Sequence, residues 1–376
     1  MRDVYKNYTE YKEKALLESV EIREKFNWEN VGKIGYKKLI EFYEKVSDPN
    51  YNPPKIDNQI NVSFIDGPKV EVIGPEEKEY DIEFWDDESL IHKNTIKNNM
   101  WTSCGRKYFT NWTIKVNGEV YHQFDLKDKR VLISLDSKSI GDTLAWAPYA
   151  VDFAGKHSCK VILCTFHNNW FMGLEDYKDL DFINPGESVG CYAHYKLGWF
   201  RDDNGGWKKF DHYPNQVNLI PLQQTATDIL GLPFEEKNYG VNLKIGKRPI
   251  DKKYVVFGPE STAGCKEWTY EYWVTLTSML RKVGYEVVLL TKRPYHIHGV
   301  KNISGRSFDE AATYLHHAEF FVGLGSGLSW LNWSLGKHTY MINGFAEDGH
   351  EFTNNLTKIT NNLCIKCWND PLFSFD

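Results

Sequence analysis

The spacing of apolar residues changes character three times along this chain. Over residues 1 to about 47, Tyr5, Tyr8, Tyr11, Leu16, Leu17, Val20, Leu39, Phe42 and Tyr43 recur at helical intervals. Pro49, Pro53 and Pro54 end that pattern and mark a linker. From Asn61 to about Asp128 the period becomes two, in runs such as VSFIDG, KVEVIG and YDIEFWD. Asn117-Gly118 supplies the positive φ angles of a type I′ turn, which predicts a hairpin. This stretch predicts a small antiparallel β-domain, whose Trp101, Tyr108, Phe109 and Trp112 face either a core or a partner chain. At Lys129 the pattern becomes buried strand, helix, buried strand (RVLISLD, SKSIGDTLAWAPYAVDFAGKH, KVILCTFH), the opening of a parallel α/β sheet. A second α/β half starts at Tyr254 and runs through WTYEYWVTLTSMLRKVG, YEVVLLTK, SFDEAATYLHHA and EFFVG. The expected division is 1–54 helical segment and linker, 55–128 β-domain, 129–240 and 241–352 two Rossmann-like halves, and 353–376 a tail.

The stretch 320–337, FFVGLGSGLSWLNWSLGK, reads as strand, glycine loop and helix. A loop of this kind gathers backbone N–H groups at a helix N-terminus, where the dipole and the unpaired donors favour an anion such as a pyrophosphate. A tight turn without ligand is the alternative.

Two further loops follow strands. After RVLISLD come Asp136, Ser137, Lys138, Ser139, Gly141, Asp142 and Thr143, at the carboxyl edge of the sheet where open α/β folds bind ligands. Asp142 is there either to complement a helix dipole or, facing a cleft, to take a proton from an acceptor hydroxyl. After Tyr254 to Phe257, the loop Gly258 to Lys266 ends on a lysine, which is a phosphate partner in a cleft and an ordinary surface residue outside one. Two α/β halves, each with a polar loop at a strand end, are the architecture of a two-domain transferase with a nucleotide cleft.

Composition narrows the partners. The chain has 376 residues and a formal charge of -6, so it carries no general nucleic-acid footprint. Its N-terminus is charged without an apolar core, and no apolar run approaches a membrane span. Seven cysteines in a long chain without a signal segment argue against a disulfide scaffold and for a cytoplasmic protein. Two of them form Cys364-Ile365-Lys366-Cys367, which is half of a tetrahedral metal site or two free thiols.

Taken together, SLDSKSIGDTLAW, FGPESTAGCKEW, FFVGLGSGLSWLNWSLGK and LCIKCWNDP resemble the bacterial autotransporter heptosyltransferases, a likeness running from about residue 60 onward. The resemblance implies a GT-B glycosyltransferase related to the lipopolysaccharide heptosyltransferases, with an added β-domain. It implies transfer of heptose from ADP-heptose to serine or threonine hydroxyls of a bacterial protein; no paired-carboxylate metal motif stands near these loops, and the expected reaction is inverting and independent of a metal. Asp142 matches the family's base. Thr262 and Lys266 match its donor-phosphate loop, and Gly325, Ser326, Gly327 and Ser329 its pyrophosphate loop. Cys364 and Cys367 match half of a four-cysteine finger that binds iron, with zinc as the other candidate. The family's assembly into rings implies a homo-oligomer. The wider lipopolysaccharide group has Asp-Thr-Gly-x-x-His where this chain has Gly325-Ser326-Gly327-Leu328-Ser329-Trp330. Another nucleotide sugar, a glycan or flagellar acceptor, and a non-catalytic scaffold are the rival readings.

Overall fold

The computed structural model describes residues 28–47, 57–206, 209–292, 295–347, 349–360, 366 and 368. The chain divides into two units, Met1–Asp57 and Asn58–Asp376. In the first, helix α1 (Trp28–Val46) leaves Tyr36, Leu39, Phe42 and Tyr43 more than half exposed. Residues 1–27 and the linker prolines lie outside the described residues.

The second unit begins with seven strands: β1 (Gln59–Ile65), β2 (Lys69–Ile73), β3 (Glu79–Asp86), β4 (Ser89–Lys97), β5 (Met100–Ser103), β6 (Trp112–Val116) and β7 (Glu119–Gln123). β3, β4, β6 and β7 form an antiparallel sheet in the order β4-β3-β6-β7. Asn117 and Gly118 turn the β6–β7 hairpin with φ angles of 53° and 86°, as the type I′ turn requires. Trp112 is buried in its core, whereas Trp101 is 58% exposed.

The first α/β half comprises β8 (Arg130–Leu135), α2 (Ile140–Trp146), α3 (Pro148–His157), β9 (Lys160–Cys164), β10 (Asp181–Ile183), β11 (Ala193–Leu197) and α4 (Leu222–Leu230). Its strands join β1, β2 and β5 in one seven-stranded sheet, ordered β10-β9-β8-β11-β1-β2-β5. Sheet pairing therefore runs straight across the division expected at residue 128. Phe64 and Ile65 of β1 pair in parallel with Ala193 and His194 of β11, and the Phe64 ring packs on Phe124 and Tyr192. A period-two pattern marks a strand but does not say which edge it joins.

The second half comprises β12 (Tyr254–Gly258), α5 (Tyr270–Lys282), β13 (Glu286–Leu289), β14 (Lys301–Asn302), α6 (Phe308–His317), β15 (Phe321–Leu324), α7 (Gly327–Ser334), β16 (Thr339–Asn343) and β17 (Leu356–Thr360). All six strands are parallel, in the order β14-β13-β12-β15-β16-β17. β17, grouped with the tail in the sequence-based division, is the outer strand of this sheet. Every residue of β12 and β15 is buried, as expected of central strands covered on both faces. The strand order reverses between β8 and β11 and again between β12 and β15. The loops leaving β8, β12 and β15 thus open at topological switch points, where doubly wound sheets form their ligand crevices.

Candidate active site

Strand β8 leads into a short polar turn and then α2, whose N-cap is Ser139. Asp142 lies in the first helical turn and is 8% exposed. Its Oδ2 accepts hydrogen bonds from Ser137 Oγ at 2.6 Å and from Trp199 Nε1 at 2.9 Å. Burial pushes the Asp142 carboxyl above the usual carboxylate range, and these two bonds together with the charge of Lys266 offset part of that rise.

Lys266 comes from the second half, on the loop after β12. Its Nζ donates to the carbonyl oxygen of Gly325 at 2.9 Å and sits 4.0 Å from the centroid of the Phe345 ring. Burial lowers the Lys266 pKa, against the pull of Glu351, Cys265 and Asp142. An acid and a base from opposite halves therefore sit within each other's field.

The glycine loop abuts the Asp142 turn directly. A Cβ built on Gly327 would lie 2.9 Å from Cβ of Ile140, and one built on Gly141 would lie 2.9 Å from Cδ1 of Trp330. Only glycine lets the N-termini of α2 and α7 come this close. Ser326 is the N-cap of α7, but its side chain caps nothing; Ser326 Oγ is buried without a partner among the described residues. A buried hydroxyl left in that state is an exception that calls for an explanation, such as a ligand.

The other expected residues are placed differently. Ser329 is fully buried, and its hydroxyl donates to the Leu324 carbonyl at 2.5 Å, so it ties the end of β15 to α7 from the inside. Thr262 is exposed on the loop after β12. Trp330 is a core residue packed edge-on against Trp333 and Phe352. Cys364 and Cys367 lie outside the described residues. Among the described residues, no group of three or more His, Cys, Asp or Glu side chains could hold a metal ion, and the five cysteines are not in disulfides.

Two groups at the site have no counterpart in the sequence reading. Glu351 is buried beside the glycine loop: it accepts from Asn343 Nδ2 at 2.5 Å, pairs with Lys358 at 3.2 Å, and its Oε1 would lie 2.9 Å from a Cβ on Gly325. Trp199 reaches Asp142 from just beyond β11. Both stand after strands at the carboxyl edge of a sheet, so the crevice rule was the available signal.

Residues 226–374 match the model of glycosyltransferase family 9 (heptosyltransferase). The autotransporter heptosyltransferase Aah of Escherichia coli is 30% identical over 296 residues, which span 73% of this chain and 74% of Aah. TibC, an autotransporter heptosyltransferase of Escherichia coli, is 30% identical over 297 residues, 73% of this chain and 71% of TibC. The crystal structure of TibC, a dodecameric iron-containing heptosyltransferase in complex with ADP-D-beta-D-heptose, matches with a TM-score of 0.74 at 26% identity, covering 86% of this chain and 89% of TibC. BimC of Burkholderia thailandensis, an inactive autotransporter heptosyltransferase, is 29% identical over 289 residues, 72% of this chain and 67% of BimC. The matched sequence, the two α/β halves and the loops meeting between them agree: this chain is a glycosyltransferase of the autotransporter heptosyltransferase family.

Proposed function

We propose that this protein transfers heptose from ADP-heptose to serine or threonine hydroxyls of a bacterial autotransporter-type protein, in the cytoplasm and as a homo-oligomer. The observation that carries the reading is that a buried carboxylate, Asp142 in the first turn of α2, and a partly buried ammonium, Lys266 on the loop after β12, act on each other from opposite halves. Asp142 takes the proton of the acceptor hydroxyl. The acceptor oxygen forms a bond to the anomeric carbon as the bond from that carbon to the diphosphate oxygen breaks on the opposite face, giving inversion. ADP leaves with the electron pair. Lys266 exchanges the Gly325 carbonyl for phosphate oxygens, and the α7 N-terminus with the Ser326 hydroxyl meets the same charge. With a base and fixed positive charge already supplied by side chains and backbone, we read the chemistry as independent of a divalent cation.

The raised pKa of Asp142 suits a base that must hold its proton through the reaction, and Thr262 at the loop rim is assigned to the donor as well. Isothermal titration of ADP-heptose together with a transfer assay on the Asp142→Asn protein tests the assignment. Retained binding with abolished transfer supports it, and substantial residual transfer refutes it.

The likeness to BimC favours a second reading, a family member without activity. Failure of the wild-type protein to bind or hydrolyse any nucleotide sugar would support it.

A further inference from the structure

The two oxygens of Asp142 are not equivalent. Both protein donors, Ser137 Oγ at 2.6 Å and Trp199 Nε1 at 2.9 Å, converge on Oδ2, and Oδ1 receives no hydrogen bond from the described residues. The donors come from different elements. Ser137 is on the turn after β8, where its Oγ also accepts from the Ser139 N–H at 3.1 Å. Trp199 follows β11, with its ring packed near Trp146 and His350. A carboxylate held from two directions on one oxygen can neither rotate nor exchange its oxygens freely. Lys266 is the charged group whose field reaches Asp142 from the other half, and burial lowers the pKa of His350, behind Trp199.

We propose that Ser137 and Trp199 are positioning residues that make Oδ1 the proton-accepting atom of Asp142 and hold the carboxylate ionised for that task. This rests on the assignment of Asp142 as the base. The acceptor O–H bond breaks with its proton passing to Oδ1, while Oδ2 keeps both hydrogen bonds throughout. A hydrogen bond to an ionised oxygen favours the charged form, so losing either donor makes Asp142 harder to ionise.

The test is the pH profile of kcat for Trp199→Phe, Ser137→Ala and Ser137→Thr, with donor KM and thermal unfolding measured alongside. Trp199→Phe keeps an aromatic ring and removes the N–H. The expected result is an acidic limb moved to higher pH by about one unit in Trp199→Phe and in Ser137→Ala, with about a tenfold fall in kcat on that limb. Donor KM stays unchanged, and Ser137→Thr, which retains the hydroxyl, restores the wild-type profile. Folded variants whose acidic limb stays in place would overturn the proposal while leaving Asp142 as the base. Transfer surviving in Asp142→Asn would remove the base assignment itself. If Trp199→Phe does not fold, the Ser137 pair decides alone.

Discussion

Trp330 occupies the space that a side chain on Gly141 would need: a Cβ there would meet the indole Cδ1 at 2.9 Å, and Trp330 is only 4% exposed. The indole packs edge-on against the stacked rings of Trp333 and Phe352, so it has little room to yield. Gly141→Ala therefore pushes α2 away from α7 and carries Asp142, the next residue, with it. Overpacking of this kind costs about 1–3 kcal/mol, and a displacement on the ångström scale at the base costs about 10²-fold in rate. Thermal unfolding and kcat measured on the same variant check both halves of this expectation. A variant with normal Tm and normal kcat would show that the two helices do not need the contact.

Lys266 is expected to act on the departing diphosphate more than on the resting protein. Lys266→Met lowers kcat by about 10²–10³-fold, the usual consequence of removing one group that stabilises developing negative charge. Lys266→Arg does not restore it, because a planar guanidinium cannot replace a compact ammonium packed over Phe345 and bound to the Gly325 carbonyl. Steady-state kinetics of the two variants decide the matter, and full activity of either would contradict this role.

The raised pKa of Asp142 has a stability consequence of definite sign. The folded protein holds this proton more tightly than the unfolded chain, so the contribution of Asp142 to stability falls as pH rises through the folded pKa. Above that pKa the ionised, buried carboxylate is a cost. Asp142→Asn keeps an oxygen for Ser137 and Trp199 and removes that charge, so its Tm is expected above the wild type at pH 7–8, with the gap closing in acid. A Tm below wild type at neutral pH would show that the charge is compensated in the fold.

Ser329→Ala separates support from donor contact. Its hydroxyl donates to the Leu324 carbonyl within the core, so the substitution removes that bond at a cost of about 0.5–1.5 kcal/mol. ADP-heptose affinity stays the same once the protein is folded, measured by titration calorimetry below the melting range. A large loss of affinity with unchanged Tm would place the hydroxyl at the donor.

What the sequence could and could not reveal follows from the range of the interactions involved. Asn117-Gly118, the buried run leading into Gly325 and the Ser139-to-Asp142 turn are local, and each was legible from a few neighbouring residues. The pairing of β1 with β11 joins Phe64 to Ala193, and no periodicity within either strand specifies it. The same holds for β17 and its place beside β16. Trp199 and Glu351 belong to the site only because the folded sheets bring strand ends together. Gly141 was legible as part of a turn, but its reason for being glycine is a tryptophan almost two hundred positions away.

A divalent cation is not expected to limit turnover. Dialysis against EDTA leaves the transfer rate unchanged if Lys266 and the α7 N-terminus carry the leaving-group charge. A loss restored by Mg²⁺ or Mn²⁺ would contradict that expectation.

Heptosyl transfer is read out by the intact mass of an autotransporter passenger produced in ADP-heptose-synthesising cells together with this protein or its Asp142→Asn variant. The expected result is mass increments of whole heptosyl residues with the wild-type protein, localised to serine or threonine, and none with Asp142→Asn. Increments of a different sugar, or equal modification by both proteins, would contradict it.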